Sequence, residues 1–306
     1  MSLAIGVDVG GTKIAAGVVD AAGRIVARLR RPTSVADAAA LRGQVVAVAG
    51  ELAAAHPATA VGVGVAGWID AHRAVVRYGP HLPWRDEPVR VEVTQALGLP
   101  VVVENDANVA AWAEYRFGVG AEVGPGGTMV MLTVGTGVGG GIVLGGRLHR
   151  GAHGIAGELG HVRVVPDGRP CPCGRRGCLE RYASGTALVN AARAGARAAP
   201  EAAADLLRRA GGDPAAVTGA MVSAAAAAGD AVACAAFAEI GHWLGVACAE
   251  LTQVLDPDMF VVGGGVADAA DLLLPPAHAA FAAQLGRRGD YPTAPIRVAE
   301  RGNDAG

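Results

Sequence analysis

The sequence contains one short design twice: an apolar stretch, a tight glycine turn and a second apolar stretch. The first copy is LAIGVDVGGTKIAAGVV at residues 3–19, and the second is MVMLTVGTGVGGGIVL at residues 129–144. Laid together, DVGGT at residues 8–12 matches TVGTG at residues 133–137. Glycine tolerates positive φ and lacks a Cβ, so each turn can bring backbone N–H groups close to a ligand. We therefore expect an internal duplication, with two β-hairpins facing each other across a cleft; the alternative is two unrelated glycine-rich hairpins.

Predicted strands alternate with predicted helices between and after the two hairpins, which is typical of an α/β architecture. Helical patterns occupy residues 41–55 and 89–97, a strand from Pro100 leads into a helix closed by Gly118, and residues 184–255 are mostly helical. The stretch GVGAEVGPGG that begins at Gly118 is predicted to be a hinge or loop. This places a small N-terminal lobe at residues 1–118 and a larger C-terminal lobe at residues 119–306.

Composition and charge narrow the class of protein. The 306 residues carry a formal net charge of −2, which provides no basic surface for nucleic acid or an anionic membrane. Residues 128–146 are uncharged, but their seven glycines argue against a membrane helix and favour a buried hairpin. The N-terminus shows no basic region ahead of an apolar run, so no signal peptide is expected. We predict a cytoplasmic protein without a nucleic-acid or membrane partner.

The first turn, DVGGTK, carries groups that suit phosphate. It lacks the spacing of a Walker A loop, yet turn amides, the Thr12 hydroxyl and Lys13 can bind phosphate oxygens, and Asp8 could hold a magnesium ion through water. Lys13 is the chain's lone lysine, either by chance or because the site needs a compact point charge. With the second copy and the glycines at 263–265, three glycine-rich loops follow strands, and this favours a nucleotide site.

The stretch VENDAN places Glu104, Asn105 and Asp106 at the end of a predicted strand, just before a helix. Asn and Asp are favoured N-caps, and on these residues alone capping is the preferred interpretation. The functional alternative makes Asp106 a general base that accepts a proton from a hydroxyl, while Asn105 holds a neighbouring hydroxyl.

Three cysteines in the pattern Cys-x-Cys-x4-Cys stand near a histidine and are flanked by two glutamates. A closed tetrahedral zinc site is matched by His161, Cys171, Cys173 and Cys178. Because all four ligands would come from the protein, the metal is expected to be structural. A disulfide would leave one of the three unpaired and is uncommon in the cytosol, so zinc is favoured. The metal would orient Glu158, His161 and Glu180 toward a polyhydroxylated ligand, whereas Cys234 and Cys248 are predicted to be core residues.

Seven motifs, taken in order, resemble those of the ROK family of sugar kinases: DVGGTK, GxxGWID, END, GTGVGGG, GELGH, CPCGRRGCLE and VVGGG. That family belongs to the actin-like, ribonuclease-H-fold ATPases, so the resemblance implies an α/β, two-lobed fold with a duplicated core. The match covers nearly the whole chain and is most specific in Cys-x-Cys-Gly-x-x-Gly-Cys-x-Glu. It points most strongly to the ROK glucokinases of actinobacterial type.

The resemblance implies an ATP-dependent glucokinase that uses Mg·ATP and a structural zinc, with Asp106 as the base that activates the sugar 6-hydroxyl. The sugar would be bound by Gly67, Asn105, Asp106, Glu158, His161 and Glu180. The nucleotide would be bound by Asp8, Gly10, Gly11, Thr12, Lys13, Thr136, Gly137, Gly264 and Gly265. The zinc ligands would be His161, Cys171, Cys173 and Cys178.

Two departures from the family pattern stand out. His81 sits where asparagine is frequent, and the chain stops at RGNDAG, where family members run into a final helix. Either the chain is truncated or its last helix is missing for another reason, and in both cases we expect packing between the lobes and stability to be affected.

Alternatives follow from the same resemblance. ROK repressors carry a helix-turn-helix before the first hairpin, and none is expected here because the first strand begins at Leu3. A sugar sensor without catalysis, or a kinase of N-acetylglucosamine, N-acetylmannosamine or mannose, stays open. The partners implied are glucose and ATP, in a homodimer or homotetramer.

Overall fold

The computed structural model describes residues 2–34, 36–286 and 292–302. These separate into two compact units. Residues up to Ala121 belong to the first unit together with Gly141–Gly157, and the second unit contains Glu122–Gly140 and the described residues from Glu158 onward. The division into lobes at 1–118 and 119–306 stays a prediction; these units differ from it because Gly141–Gly157 group with the first.

The helices and strands follow one another in a mixed order. Up to Phe117 they are β1 Leu3–Val9, β2 Lys13–Asp20, β3 Ile25–Pro32, α1 Ala38–Ala55, β4 Ala58–Val65, β5 Trp68–Ile69, β6 Val76–Tyr78, β7 Arg85–Glu87, α2 Val89–Leu97, β8 Val101–Asn105 and α3 Asp106–Phe117. The remainder are β9 Met129–Val134, β10 Val138–Leu144, β11 Arg147–Leu148, α4 Glu180–Ala183, α5 Gly185–Ala198, α6 Ala204–Arg209, α7 Gly219–Ala227, α8 Ala231–Leu255, β12 Met259–Gly263, α9 Ala270–Leu285 and β13 Ile296–Val298.

Two five-stranded sheets have the same strand order. The first runs β3-β2-β1-β4-β8, and the second runs β11-β10-β9-β12-β13. In each sheet the first strand of a glycine-turn hairpin is central, and the next two strands beyond it are added in parallel: β1 with β4 and β4 with β8, then β9 with β12 and β12 with β13. This shared order confirms the predicted duplication of the core.

The first sheet packs its buried face against α1. Along β1, Ile5, Val7 and Val9 are buried and alternate with less buried residues, as a strand with one face in the core requires. The helix α1 begins after Asp37, whose carboxylate accepts a hydrogen bond from the Ala40 N–H at 2.7 Å. This sheet holds β8 in place, so the polar residues that follow β8 leave a rigid strand end.

The core of the second unit is built around α8, which packs against α9, α5 and α7. Its buried residues include Phe237, Ile240 and Leu244. By length and composition alone, α1 and α8 could cross a membrane, but half of the most apolar stretch of α8 is buried inside the unit. Its apolar character therefore has a structural explanation in the core.

The predicted segments agree with these elements in most places. Both hairpins are present, α2 covers the predicted residues 89–97, and α3 ends at Phe117 with Gly118 as its C-cap, as expected. The predicted loop beginning at Gly118 instead starts with a short 3-10 helix at Val119–Val123, because consecutive turns there close hydrogen bonds such as Ala121 N–H to Gly118 O. The prediction made for the chain end concerns residues 303–306, which lie outside the described residues.

Candidate active site and metal centre

The first candidate site lies where β8 ends and α3 begins. Asn105 is the N-cap of α3, and its side-chain oxygen accepts a hydrogen bond from the Asn108 N–H at 3.1 Å. Its amide group donates to the Gly67 carbonyl at 3.1 Å. The capping interpretation is therefore confirmed for Asn105, and the cap leaves Asp106 as the first residue of the helix. Its carboxylate thus lies at the positive end of the α3 dipole.

Two carboxyl groups in the first unit have raised pKa values. Burial raises the pKa of Asp106 above its ordinary value and outweighs the hydrogen bond from the Ala107 N–H. The pKa of Asp8 is raised to about 6: burial is the largest cause, the negative charge of Asp106 adds to it, and Lys13 partly offsets both. The strand end of β1 and the start of α3 thus bring two interacting acids and a lysine into one neighbourhood.

The backbone around these acids is tightly packed. A Cβ at Gly67 would collide with the Tyr78 carbonyl oxygen, so a side chain has no room beside Asn105. In the first glycine turn, Gly10 N–H donates to the Lys13 carbonyl at 3.0 Å, which closes the β1–β2 hairpin. His81, the residue that departs from the family pattern, packs beside this turn: a Cβ at Gly11 would lie 3.0 Å from the His81 Cβ.

The second unit carries the predicted metal cluster. One ligand atom from each of His161, Cys171, Cys173 and Cys178 lies within 4.8 Å of the others. The Cys173 and Cys178 sulfurs are 3.7 Å apart, and the Cys171 sulfur is 3.8 Å from His161 Nδ1. A tetrahedron of ligands about 2.3 Å from a zinc ion has edges of about 3.8 Å between sulfurs. The donor set and its spacing therefore fit zinc.

The alternative of a disulfide is not realised. All five cysteines are in the described part of the chain and are free, and a disulfide needs sulfurs about 2.05 Å apart. Burial is the main reason that the pKa of the Cys178 thiol is raised to about 12, and the neighbouring Cys173 and Cys171 thiols add to it. A cation at the centre of the cluster would favour the thiolate instead, because metal ligation requires the deprotonated sulfur.

The cluster is framed by backbone turns that position the flanking carboxylates. His161 ends a 3-10 helix that follows Glu158, and its Nδ1 faces Cys171, which leaves Nε2 for another partner. Glu180 begins α4, two residues after Cys178. Its Oε2 accepts a hydrogen bond from the Val138 N–H at 3.2 Å.

The second glycine turn is held by the segment that follows the cluster. The Gly185 N–H donates to the Gly135 carbonyl at 2.7 Å, and the Thr186 hydroxyl donates to the Thr136 carbonyl at 2.7 Å. A Cβ at Gly137 would collide with the Glu180 carboxylate. The carbonyls of Gly135 and Thr136 are thus bound, as is the Val138 N–H that donates to Glu180, so the turn is preorganised.

A pocket of about 540 Å³ opens beside this turn in the second unit. It is lined by Gly135, Thr136, Gly185, Thr186, Val189, Asn190, Arg193, Gly219, Gly265 and Val266. Of the residues predicted to bind nucleotide, Thr136 and Gly265 line this pocket. Gly264 has a φ of +85° and packs against Val134, so it shapes the loop.

The structure brings the predicted residues together within each unit. In the first unit, the residues that come together are Asp8, Lys13, Gly67, Asn105 and Asp106. In the second unit, Glu180 and the cysteine cluster lie near the second glycine turn. Three residues that support these sites were not predicted from the sequence. They are Thr186 on α5, which holds the second glycine turn, and Arg73 and Arg150, which form ion pairs with the buried Glu104. Nothing in the sequence around Arg150 indicates that it pairs with Glu104, because the two residues lie 46 positions apart.

The duplicated sheets, the glycine turns and the acid-bearing helix start define the class: this is the two-lobed, actin-like/ribonuclease-H-like fold of sugar kinases. The chain belongs to the ROK family, whose sequence profile matches residues 4–306.

Similar proteins include a glucokinase of Streptomyces coelicolor, 44% identical over 306 residues that cover 100% of this chain and 95% of that protein. A glucokinase of Halalkalibacterium halodurans is 38% identical over 310 residues, covering 99% of this chain and 92% of that one. Among solved structures, a ROK family glucokinase from Streptomyces griseus in complex with glucose and AMPPNP is 46% identical, with a TM-score of 0.87, 99% of this chain covered and 96% of that one.

Proposed function

We propose that this protein is an ATP-dependent glucokinase that transfers the γ-phosphoryl group of Mg·ATP to the 6-hydroxyl of D-glucose. The observation that carries the proposal is Asp106, a partly buried carboxyl group with a raised pKa at the start of α3. Such a group is a stronger base than an exposed aspartate once it is ionised. The full-length similarity to glucokinases, one of them bound to glucose and AMPPNP, supports glucose and ATP as the substrates.

In the proposed reaction, the Asp106 carboxylate accepts the proton of the 6-hydroxyl as that oxygen attacks the γ-phosphorus. The bond between the γ-phosphorus and the β,γ-bridging oxygen breaks, and ADP and glucose 6-phosphate are the products. The Asn105 amide, already oriented by Gly67 and the α3 cap, would hold a neighbouring sugar hydroxyl. Rigid placement of the attacking oxygen matters because phosphoryl transfer is catalysed mainly by positioning and charge stabilisation.

The remaining sugar and nucleotide contacts are proposed from the same residues. Glu158, Glu180 and the free Nε2 of His161 would bind the other sugar hydroxyls, and the Gly67 backbone would line the pocket. Gly10, Gly11, Thr12 and Lys13 would bind phosphate oxygens with Thr136 and Gly137, while Asp8 would hold the magnesium ion through water. Gly264 and Gly265 would lie by the adenosine.

Zinc is proposed as the resident metal, held by His161, Cys171, Cys173 and Cys178. When bound, it supplies a structural cross-link and no chemical step, since all four positions are filled by protein. Its effect on this chain would be to fix the Nδ1 face of His161 and the start of α4, and so the carboxylate of Glu180.

The setting of the enzyme is proposed as well. We place it in the cytoplasm as a homodimer or homotetramer with no nucleic-acid or membrane partner. The near-neutral net charge of −2 supports the absence of a nucleic-acid partner.

The test is ADP release by the purified chain with Mg·ATP and a panel of glucose, mannose, N-acetylglucosamine, N-acetylmannosamine and fructose, with a no-sugar blank. We expect glucose to have a kcat/KM at least about tenfold above the other sugars, with glucose 6-phosphate identified as the product. A preference for an N-acetyl sugar or mannose would overturn glucose as the substrate. Sugar binding without ADP release from any member would replace the kinase with a sugar sensor.

A further inference from the structure

Glu104, the residue before the proposed catalytic pair, is a buried charge at the centre of a polar network. It is 3% exposed, on β8. Its Oε2 lies 2.9 Å from Arg150 Nε and 3.1 Å from Arg73 Nε. Its Oε1 accepts hydrogen bonds from the Asn105 N–H at 3.0 Å and from the Asn108 side-chain amide at 3.2 Å. One carboxylate thus joins two cations to the backbone of the catalytic segment.

Arg150 extends this network to a second segment of the same unit. Its guanidinium donates to the Ala71 carbonyl at 2.9 Å and to the Asp70 carbonyl at 3.0 Å, while its Nε faces Glu104. The contact with Glu104 is an ion pair without an aligned hydrogen bond. The planar fork of Arg150 therefore spans the carboxylate and the backbone of residues 70–71, and a flexible lysine could not reproduce this geometry.

The segment bound by Arg150 is continuous with the one that contacts Asn105. Gly67 accepts the Asn105 amide hydrogen bond, and residues 68–69 form β5 before Asp70. Arg73 closes the far side, because its carbonyl accepts the Val103 N–H of β8 at 3.2 Å. The Asn105–Asp106 segment is thus held by Glu104 and by residues 67–73. Arg150 contacts both supports.

We propose that Glu104, held by Arg150, is a positioning residue for phosphoryl transfer: it fixes the Asn105–Asp106 pair against the 67–71 segment. This rests on the proposed function of Asp106. Glu104 itself touches no substrate in this proposal and acts through the Asn105 backbone. Because small displacements of a reacting group can cost about 10²-fold in rate, loss of this support should lower turnover well beyond its effect on folding.

A merely structural ion pair would behave differently. Removing the Glu104 charge leaves Arg150 without its ion-pair partner, and removing Arg150 leaves the buried Glu104 with Arg73 alone. Either change should destabilise the protein, whereas removing both charges is often neutral. If Glu104 and Arg150 only stabilise the fold, the double neutral variant should therefore regain both stability and turnover. If they position the catalytic pair, the double variant should regain stability and stay slow.

The experiment compares Glu104→Gln, Arg150→Met and the double variant with the unmodified chain, measuring Tm together with kcat and KM for glucose and ATP well below the lowest Tm. We expect each single variant to lose about 10²-fold in kcat with the KM for ATP within about threefold. The double variant should recover most of the Tm and stay at least about 30-fold slow. The matched control is the Arg42–Glu87 ion pair of the same unit, whose Arg42→Met/Glu87→Gln variant should keep its kcat.

Wild-type turnover in the double variant, or in a folded Glu104→Gln variant, would overturn the positioning role. Should Glu104→Gln fail to fold, Arg150→Met and the double variant carry the same test. The unmodified chain in each assay separates the two claims: if it does not phosphorylate glucose, the proposed function fails, whereas equal turnover of variant and unmodified chain is a failure of the positioning role alone.

Discussion

Asp8 and Asp106 show how a single unit can produce carboxyl groups suited to different tasks. Both are partly buried, and both have pKa values above the ordinary value for an aspartate. Asp8 is raised partly by the charge of Asp106, so the protonation of the two groups is linked. The charge of a bound magnesium ion would favour ionised Asp8, which is the state the proposed role requires.

The raised pKa of Asp8 predicts a measurable cost to stability. Its pKa is about 6 in the folded protein against an ordinary value of 3.8, so folding disfavours the ionised form. This cost is absent below about pH 3.8, grows as the pH rises to about 6, and stays constant above. Asp8→Asn should therefore raise the Tm relative to the unmodified chain at pH 7.5 and much less at pH 4.5. A difference in Tm that does not vary between these two pH values would contradict the assigned pKa.

At the scale of the element, the second glycine turn shows how segments distant in the sequence fix a local conformation. Its strands were predictable from alternation and glycine content, but its conformation depends on α4 and α5, about 50 residues further along the chain. Glu180, Gly185 and Thr186 each hold one backbone group of the turn. Because these hydrogen bonds fix the backbone of the turn, the N–H groups of Thr136 and Gly137 keep one orientation toward a phosphate, so the support should improve nucleotide affinity.

Thr186→Val removes the hydroxyl that holds Thr136 while keeping the shape of the side chain. One hydrogen bond is worth about 1 kcal/mol, so we expect the KM for ATP to rise about three- to tenfold with the KM for glucose nearly unchanged. Steady-state kinetics of the purified variant measure both constants. Thr186→Ser, which keeps the hydroxyl, is the control and should restore the KM for ATP; an equal defect in both variants would remove the hydroxyl as the cause.

Local signals predicted the elements well where one residue determined the boundary. The start of α3 was readable because Asn105 is a good N-cap, and its end because Gly118 closes it. The ion pair of Glu104 with Arg150 was not predictable, because it joins a strand to a loop after β11 and no local pattern encodes a pair so distant. The four residues of the candidate metal cluster lie close together in the sequence, so their spacing was enough to predict that their side chains gather.

At the scale of the whole molecule, the two five-stranded sheets have the same strand order, and the two units differ in the segments added to them. The first unit adds α1 and the acid-bearing start of α3, and the second adds the cysteine cluster and the helices around α8. One duplicated scaffold thus presents a glycine turn in each unit, while the added segments carry the proposed base and the proposed metal ligands. This agrees with the general rule that function resides in sites built onto a common fold.

The cluster should contribute to the stability of the protein as a whole. Cys173→Ser should lose most of the bound zinc, measured by metal analysis, and lower the Tm by about 10 °C, since structural zinc contributes directly to folding. Cys234→Ser is the matched control: Cys234 lies on α8, away from the cluster, and its thiol donates to the Ala226 carbonyl, which a serine hydroxyl can also do. Absence of zinc from the unmodified protein would contradict the site.

The proposed glucokinase mechanism depends on Asp106 as the base that accepts the proton of the sugar hydroxyl. The most direct measurement pairs the kcat of Asp106→Asn with its glucose affinity by calorimetry, and uses Asp37→Asn, an exposed N-cap of α1, as the control. We predict that kcat falls by about 10²- to 10⁴-fold while the glucose Kd stays within about threefold, because the amide keeps the shape and loses the proton acceptor. Turnover of Asp106→Asn within a factor of a few of the unmodified chain would contradict the account.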